Sequence, residues 1–435
     1  MKKPQFVRKL FTTSRLLEFF TEKELSMQIG HSKEWWPIAL LKELIDNSLD
    51  AAENINKPPE IQIVIAENYF SVEDNGPGIP DKVINRSLNY TVRVSDKSYY
   101  VSPTRGQLGN ALKCVYAAPF VANGEIGKIE IVNGKKTYMI EVVLDRIDQK
   151  PKIKLNKLDE GNCKKVTVFY TDSAGLLLTP KVSNIYKTPM DAETLVKRYA
   201  IFNPHATFNL NGKTYEPSST VWKKWLPTEP TSPHWYTPEQ LKTLIAAYLS
   251  MDRDSEKTVR EFIAEFRGLS GTTKQKEATD DAGLSGKRLC DLIVNNDIPL
   301  APIEKLLMSL KKHSRQVKAT SLGSIGEEHL KTRMMNDYHI APNSFKYKKI
   351  AKIDEVTNLP HVIEIGFAIY DKDHEQNSRQ VISGLNWSPT FDFLSEAKTM
   401  LFENHIEPQD PVCVVCHIAR PKFEYTDKGK EQVCL

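Results

Sequence analysis

The sequence lacks any apolar run long enough to span a membrane, and its first residues lack the hydrophobic core of a signal peptide. Cysteine is scarce: six are scattered through 435 residues, which is typical of a reducing cytosol. Charge of one sign is not in large excess, because 59 Lys and Arg face 55 Asp and Glu. These absences predict a cytoplasmic protein, with association to the nucleoid left open. They also remove net charge as an argument for nucleic-acid binding.

A further absence concerns nucleotide binding. No Gly-x-x-x-x-Gly-Lys-Ser/Thr segment occurs, so the usual triphosphate-binding loop is missing. The most basic local stretch is Lys311–Lys318, for which a solvated helix end is predicted and a phosphate contact is the alternative. At this length we expect two or three domains, each able to bury a core.

The first informative pattern in the sequence is that of an amphipathic helix around residues 38–52. At 100° per residue, one apolar stripe is predicted, while Glu43, Asn47 and Asp50 cluster on the opposite side. A polar face that simply meets water is the alternative. The residues of the stripe are Ile38, Leu41, Leu44, Ile45, Leu49 and Ala52.

A strand pattern with a glycine-rich end follows this helix. Residues 61–65 alternate as a half-buried strand, and a second apolar run leads into Asp74. Gly76 and Gly78 then break the strand, since glycine tolerates positive φ and lets the backbone approach a ligand closely. An ordinary Asp-Asn-Gly turn is the alternative.

A glycine-bearing loop, residues 104–110, leads into an apolar helical run that starts at Ala111. The exposed amides at the start of a helix form a ready site for an anion. Three weak motifs in this order, with these gaps, are far more specific together than any one of them alone.

The three segments resemble the conserved boxes of the GHKL ATPases, the superfamily of DNA gyrase, MutL-type repair proteins and sensor histidine kinases. The resemblance implies an α+β chain whose first domain is a GHKL α/β sandwich, with ATP held between the sheet and its covering helices. ATP and Mg²⁺ are the implied cofactors, and ATP hydrolysis is the implied reaction.

The resemblance also implies a role for each matching residue. Glu43 matches the general base that deprotonates the attacking water, and Asn47 matches the Mg²⁺ ligand. Asp74 matches the acceptor for the adenine amino group, with Gly76 and Gly78 beside it. The remaining implied nucleotide-binding residues are the lid residues Gly106, Gln107, Leu108, Gly109 and Asn110, then Lys113, for which a solvated helix lysine is the alternative, and Thr167 on a later strand.

Several longer segments resemble the B subunit of type IIB DNA topoisomerases, also called topoisomerase VI. They include a segment near the N-terminus and the helix that carries Glu43 and Asn47. Further segments fall in a helical insert, in two strands near the end of the chain and in a final loop. The segments are Ser14–Phe20, Lys42–Ala51, Ser232–Leu241, Phe266–Gly271, Ala282–Leu289, Pro360–Tyr370, Pro411–Ala419 and Phe423–Glu431. In that family the last segment carries the switch lysine that reaches the γ-phosphate. On this match Lys430 is the switch residue and Lys428 its rival.

The resemblance implies three domains with distinct tasks. Residues 1–228 form the ATP-binding domain with an N-terminal arm, residues 229–335 a helical domain of the helix-two-turns-helix type, and residues 336–435 a transducer-like domain. We expect an ATP-induced homodimer that acts as a clamp on DNA, with a DNA-cleaving A-type subunit as a further partner and no membrane. The family's subunit continues past the switch loop into a long helix, and this chain diverges outside the boxes, so two alternatives stay open. One is a clamp in DNA repair, chromosome maintenance or defence against foreign DNA, and the other is a non-hydrolysing nucleotide sensor or scaffold.

The segment Cys413-Val-Val-Cys416-His417 matches a haem-attachment pattern. It lies inside an apolar run from Val412 to Ile418, and neither an export signal nor a second cysteine pair accompanies it. The pattern therefore predicts a buried structural strand rather than a cofactor site.

Overall fold

The computed structural model describes residues 20–90, 99–105, 111–124, 126–145, 147, 150–181, 189–219, 222–251, 256–371, 378–391, 401–425 and 433–434. Within these ranges, no helix combines the length and the apolar character that crossing a membrane requires.

An eight-stranded mixed sheet forms the first part of the fold. Its strands are β1 (Glu60–Ala66), β2 (Tyr69–Asp74), β3 (Ile126–Gly134), β4 (Lys136–Asp145), β5 (Lys150–Leu158), β6 (Cys163–Phe169), β7 (Thr207–Leu210) and β8 (Lys213–Tyr215). Their order across the sheet is β5-β4-β3-β6-β2-β1-β7-β8, with β1 and β7 parallel. The predicted alternation in β1 is confirmed, because Ile61, Ile63 and Ile65 are all buried.

Helices pack against this sheet and share one apolar core with it. They are α1 (Glu22–Ile29), α2 (Trp36–Asn54), α3 (Asp81–Ser87), α4 (Ala111–Asn123), α5 (Ser173–Leu178) and α6 (Ala192–Phe202). The large mixed sheet with its covering helices confirms the predicted α+β class.

α2 is the helix predicted from the apolar stripe. Pro37 occupies its first turn, where no backbone N–H is needed, and Pro58 and Pro59 follow soon after its end at Asn54. Every residue of the predicted stripe is buried. Of the predicted polar face, Asp50 is buried, Glu43 is half-buried and Asn47 is exposed, so this face is only partly open to solvent.

A helical region follows the first sheet. It contains α7 (Pro238–Met251), α8 (Val259–Ile263), α9 (Thr272–Asp281), α10 (Leu300–His313) and α11 (Glu327–Tyr338). Apolar residues at helical spacing in α7, Leu241, Leu244, Ile245 and Leu249, are buried, and the core of this region is continuous with that of the second sheet. The two boundaries between the three predicted domains stay a prediction.

The last part of the fold is a five-stranded sheet with the order β12-β11-β13-β10-β9. Its strands are β9 (Lys346–Ile353), β10 (Pro360–Ile369), β11 (Gln380–Leu385), β12 (Ser388–Pro389) and β13 (Val412–Ala419), and a small pair, β14 (Glu424–Tyr425) and β15 (Val433–Cys434), follows. The buried strand predicted around Cys413 and Cys416 is confirmed as β13, in which every residue is buried. The sequence pattern did not predict β9, whose lysines hide the apolar alternation of a strand.

Candidate nucleotide-binding site

A cavity of about 490 Å³, including its open mouth, lies between α2 and the first sheet. α2 forms one wall, β2, β3 and β6 form the other, and α4 adds Leu112. The lining residues are Leu44, Asn47, Ser48, Ala51, Val72, Asp74, Gly78, Ile79, Leu112, Ile131, Val132, Lys164, Lys165 and Val166.

Two predicted catalytic-site residues lie one turn apart on α2. Asn47 is exposed and lines the cavity, whereas Glu43 is half-buried and does not line it. Side chains four residues apart share a helix face, so the Glu43 carboxylate lies beside the cavity wall that carries Asn47. The apolar stripe on the opposite side fixes this orientation, because turning the helix would expose its buried leucines.

The amide oxygen of Asn47 is a hard ligand of the kind that Mg²⁺ takes. No group of three or more His, Cys, Asp or Glu side chains arranged for a metal occurs among the described residues. A Mg²⁺ ion at this cavity would therefore be held by Asn47 together with phosphate oxygens and water, a ligand set that suits this ion.

Asp74 ends β2 and faces α2 across the cavity. Its Oδ1 accepts a hydrogen bond from the Gly76 backbone N–H at 2.8 Å, and the Ser48 hydroxyl also hydrogen-bonds to it. Burial raises the pKa of Asp74, while the bonds from Gly76 and Ser48 oppose that rise. These contacts fix a carboxylate whose remaining lone pairs are available to an amino group in the cavity.

Both predicted glycines are required by the local geometry. A Cβ on Gly76 would lie 2.8 Å from Asp74 Oδ1 and 2.9 Å from the Ala51 Cβ. Gly78 has φ of +84°, and its Cβ would lie 2.0 Å from Asn133 Oδ1. The backbone after β2 therefore runs directly along the cavity wall.

Three polar residues of the cavity were not predicted from the sequence: Ser48, Lys164 and Lys165. Both lysines lie on β6, in a stretch where the family resemblance drew attention only to the threonine. Lys164 lowers the pKa of Asp74 by its charge. A positive side chain next to a nucleotide cavity adds attraction for an anionic ligand.

Two predicted contacts are not brought to the cavity. Thr167 is buried on β6, and its hydroxyl donates to Glu130 at 3.4 Å, so the geometry gives its proposed adenine role no support. Lys113 is buried, and its ammonium group donates to the backbone carbonyl of Asn89 at 2.6 Å. The alternative of a solvated Lys113 is therefore wrong, and its phosphate role stays a prediction.

The phosphate lid and the switch loop fall outside the part of the chain that the structure describes. This holds for Gly106, Gln107, Leu108, Gly109 and Asn110, and for Lys428 and Lys430. Their assignments stay predictions.

A buried charge cluster, which the sequence did not predict, lies at the C-terminal end of α2. Arg105 donates to Asp50 at 2.7 Å and forms a two-bond pair with Glu53 at 2.8 and 2.9 Å. Lys224 and His205 also bond to Glu53. Burial alone raises the pKa of Glu53, but Arg105 and Lys224 outweigh it and hold that pKa well below its usual range. Arg105 lies within the predicted lid, residues 87–110, and the cluster bonds this residue to α2.

α2 also contacts the second sheet. The Lys42 ammonium group donates to Asp46 at 2.9 Å and to the Ser388 hydroxyl at 2.8 Å. Ser388 in turn donates to Asp46 at 2.8 Å, and Tyr199 of α6 donates to the same carboxylate at 2.8 Å. The helix that carries Glu43 and Asn47 is thereby bonded to β12.

Residues 34–146 match the family model described as "Histidine kinase-, DNA gyrase B-, and HSP90-like ATPase". Together with the cavity between α2 and the sheet, this match shows that the chain contains an ATPase domain of the GHKL class. The superfamily predicted from the sequence is confirmed.

The relatives of the whole chain are more specific. It is 26% identical over 427 residues to the B subunit of type 2 DNA topoisomerase 6 from Saccharolobus shibatae, covering 90% of this chain and 74% of that one. The B subunit of the same enzyme from Archaeoglobus fulgidus is 22% identical over 422 residues, covering 91% and 66%. The ATPase region of Saccharomyces cerevisiae topoisomerase II is 13% identical, covering 91% and 76%, with a TM-score of 0.37, which is too low to add to the assignment. The chain therefore resembles topoisomerase VI B subunits over nearly its full length.

Proposed function

We propose that this chain is an ATP-operated dimerising clamp, the ATPase subunit of a type IIB DNA topoisomerase. One observation carries the nucleotide part: Asn47 of α2 and Asp74 of β2 line a single cavity, although 27 residues separate them in the sequence. The similarity to topoisomerase VI B subunits over 90% of the chain supports the rest.

The polar residues that line the cavity have roles in nucleotide binding that follow from their positions. Asp74 accepts the adenine amino group at the inner end of the cavity, and Asn47 faces the phosphates from α2. Bound Mg²⁺ would neutralise phosphate charge between the nucleotide and Asn47. Lys164 and Lys165 add positive charge along the same wall.

Glu43 acts on the attacking water. Its carboxylate orients the water and accepts a proton as the oxygen bonds to the γ-phosphorus. The bond between the γ-phosphorus and the bridging oxygen breaks, and ADP and inorganic phosphate leave.

The clamp depends on the γ-phosphate. With ATP bound, the lid at residues 87–110 covers the phosphates, the N-terminal arm exchanges with a second protomer, and Lys430 pairs with the γ-phosphate. Hydrolysis removes the anion that Lys430 pairs with, so the contact is released, as in other order–disorder switches.

Sedimentation velocity of the pure protein tests the clamp. With Mg²⁺ and a non-hydrolysable ATP analogue we expect a dimer, and without nucleotide a monomer. The Asn47→Ala variant is expected to stay monomeric under both conditions. A wild-type monomer in both cases would refute the clamp.

The topoisomerase output needs a separate test, because DNA strand passage requires a cleaving subunit. We expect ATP-dependent relaxation of supercoiled DNA when the chain is combined with an A-type subunit from the same organism. ATP-dependent dimerisation without relaxation would instead support a repair, chromosome-maintenance or defence clamp.

A further inference from the structure

β9 is a strongly basic outer strand of the second sheet. Within the described ranges it pairs with β10 alone, and all four of its lysines are exposed. At a rise of about 3.3 Å per residue, the first and last of them lie about 20 Å apart. The four are Lys346, Lys348, Lys349 and Lys352.

A second basic segment lies against this strand. Arg315 and Lys318 are exposed just after α10, and they lead into a short 3-10 helix, Ala319–Leu322, that packs against β9 and β10. Lys349 donates from its ammonium group to the Ser324 hydroxyl at 2.9 Å. The contact joins the basic end of the helical region to the basic strand.

A third segment reaches the same place from the end of the first domain. The backbone of Lys224 pairs with Gly323, and the Trp225 N–H donates to the Leu322 carbonyl at 3.1 Å. A Cβ on Gly323 would lie 2.2 Å from the backbone oxygen of Lys223. The exposed Lys223 therefore lies next to the turn at residues 323–324, and the Ser324 hydroxyl of this turn accepts the hydrogen bond from Lys349.

These seven exposed cations border the outer edge of β9, which we call the basic seam. Lys346, Lys348 and Lys352 lie on one face of the strand, and Lys349 lies on the opposite face, towards the segments that carry Lys223, Arg315 and Lys318. None of the seven forms an ion pair in the part of the chain that the structure describes. The exposed carboxylates nearby in the chain are Glu327 and Glu328 at the start of α11 and Glu355 just after β9, and they are too few to cancel seven positive charges.

Protection of a sheet edge explains part of this pattern. Lysines on an outer strand prevent edge-to-edge aggregation, and β5 at the edge of the first sheet is also rich in lysine. There, however, Lys152 pairs with Asp145, and Lys157 lies 3.8 Å from Asp81. Edge protection also gives no reason for Lys223, Arg315 and Lys318 to converge on β9 from outside the sheet.

We propose that the basic seam binds the phosphate backbone of double-stranded DNA. A row of unpaired cations about 20 Å long suits a regularly spaced line of phosphates, which binds by releasing counterions. A protein partner fits less well, since Val356 is the one large apolar side chain that is exposed among the described residues from 315 to 356, and protein interfaces need an apolar or aromatic centre. This inference rests on the proposed function and adds to it the surface on which the clamp holds its DNA.

Fluorescence anisotropy with a labelled 30-base-pair duplex, over a range of salt concentrations, tests the seam. The variant Lys346→Gln/Lys348→Gln/Lys352→Gln removes three charges from β9. We expect the slope of log affinity against log salt to become shallower by about two to three, because each lost phosphate contact contributes about 0.9. The variant with arginine at the same three positions is expected to bind like the wild type.

The matched control removes three charges from the other sheet edge, Lys152→Gln/Lys154→Gln/Lys157→Gln. Its affinity is expected to change less than twofold. The inference is refuted if the β9 variant binds like the wild type, if both variants lose affinity equally, or if the wild type does not bind the duplex at about 50 mM salt. ATP hydrolysis is measured on the same preparations. If the wild type hydrolyses ATP normally, any of the three outcomes above refutes only the DNA-binding role of the basic seam. If the wild type does not hydrolyse ATP, the proposed function is refuted.

Discussion

Arg105 and Glu53 are both fully buried, and a buried charge is stable only when it is paired. The surrounding groups come close to neutrality: Arg105 and Lys224 are cationic, and Asp50 and Glu53 are anionic. Burial, with the charge of Arg105, lowers the pKa of Lys224 to about 8. The cluster is thus balanced near neutral pH, and removing one member leaves its partners unpaired.

We expect Glu53→Gln to lower the free energy of unfolding by about 3–5 kcal/mol, since it leaves Arg105 and Lys224 with one counter-charge fewer in a site closed to water. Urea denaturation followed by circular dichroism measures the change. Glu67→Gln is the control, because Glu67 is exposed, and it should change stability by less than about 0.5 kcal/mol. Equal stability of the two variants would contradict this account of the cluster.

Glu43→Gln is expected to bind ATP normally but to hydrolyse it at least about 100-fold more slowly, because glutamine cannot accept the proton of the attacking water. Phosphate release and calorimetric titration measure the two steps separately. Unchanged turnover would rule out Glu43 as the base.

Asp74→Asn is expected to weaken ATP binding by about 10- to 100-fold, since an amide replaces a charged acceptor that the adenine amino group needs. The affinity for GTP, which presents no amino group at that position, should fall much less. Calorimetric titration with both nucleotides gives the comparison, and Asp159→Asn at an exposed position is the control. Equal ATP affinity of wild type and Asp74→Asn would remove Asp74 from the site.

Among the elements, β10 carries a carboxylate that ties two strands to the start of α11. Glu364 accepts hydrogen bonds from the backbone N–H groups of Ile325 and Gly326 at 2.8 and 2.9 Å. It also contacts His417 of β13 at 3.3 Å and Tyr347 of β9 at 2.7 Å. Burial raises its pKa, but His417 and the two backbone groups outweigh burial and lower that pKa to about 2.

Acid titration tests this element. The pKa of Glu364 is lower in the folded chain than its ordinary value of 4.5, so its stabilisation is complete above pH 4.5 and is lost as the pH falls towards 2. We expect a loss on the order of 3 kcal/mol over that range. Glu364→Gln should be less stable at pH 6 and should lose less between pH 4.5 and 2. Parallel pH profiles of variant and wild type, measured by urea denaturation, would contradict the assignment.

α2 shows which properties of an element are readable from the sequence. Its apolar stripe was predictable because core burial imposes the helical period on side-chain type. Its polar face was not, since Asp46, Asp50 and Glu53 look like solvated acids until Arg105, Lys224 and Ser388 arrive from distant segments. β9 was not predicted, for a different reason: its lysines conceal the alternation of apolar and polar residues that identifies a strand.

In the whole molecule, the two sheets are joined through α6 and α2. Gly384 of β11 packs directly on Phe202, and a Cβ at this position would lie 2.6 Å from the ring. Asn203 donates to the Trp387 carbonyl at 3.0 Å, and Lys224 lies 5.0 Å above the Trp387 ring. The nucleotide cavity and the second sheet are therefore connected by packed, hydrogen-bonded contacts.

Gly384→Ala is expected to destabilise the junction by about 1–3 kcal/mol, because the added methyl group overpacks a closed site. Gly271→Ala is the control: nothing lies within 4 Å of its added Cβ, so its cost is limited to the loss of a favoured N-cap residue of α9, at most about 1 kcal/mol. Thermal unfolding compares the two, and equal melting temperatures would show that the junction accommodates the methyl group.

The sequence by itself determined the class of domain, the apolar face of α2, and the identity of Glu43, Asn47 and Asp74 as candidate site residues. Helix periodicity indicated the apolar face of α2, because core burial is a local constraint on residue type, and the resemblance of three segments to the GHKL boxes implied the class of domain and the candidate residues. The tertiary structure alone decided that Asn47 and Asp74 share one cavity, that Lys164 and Lys165 line it, and that Thr167 does not. It also decided the balanced charges around Glu53 and the convergence of three basic segments at β9, because both depend on residues more than 100 positions apart. Electrostatic partners of that kind have no spacing rule in sequence; only the folded chain brings them within bonding distance.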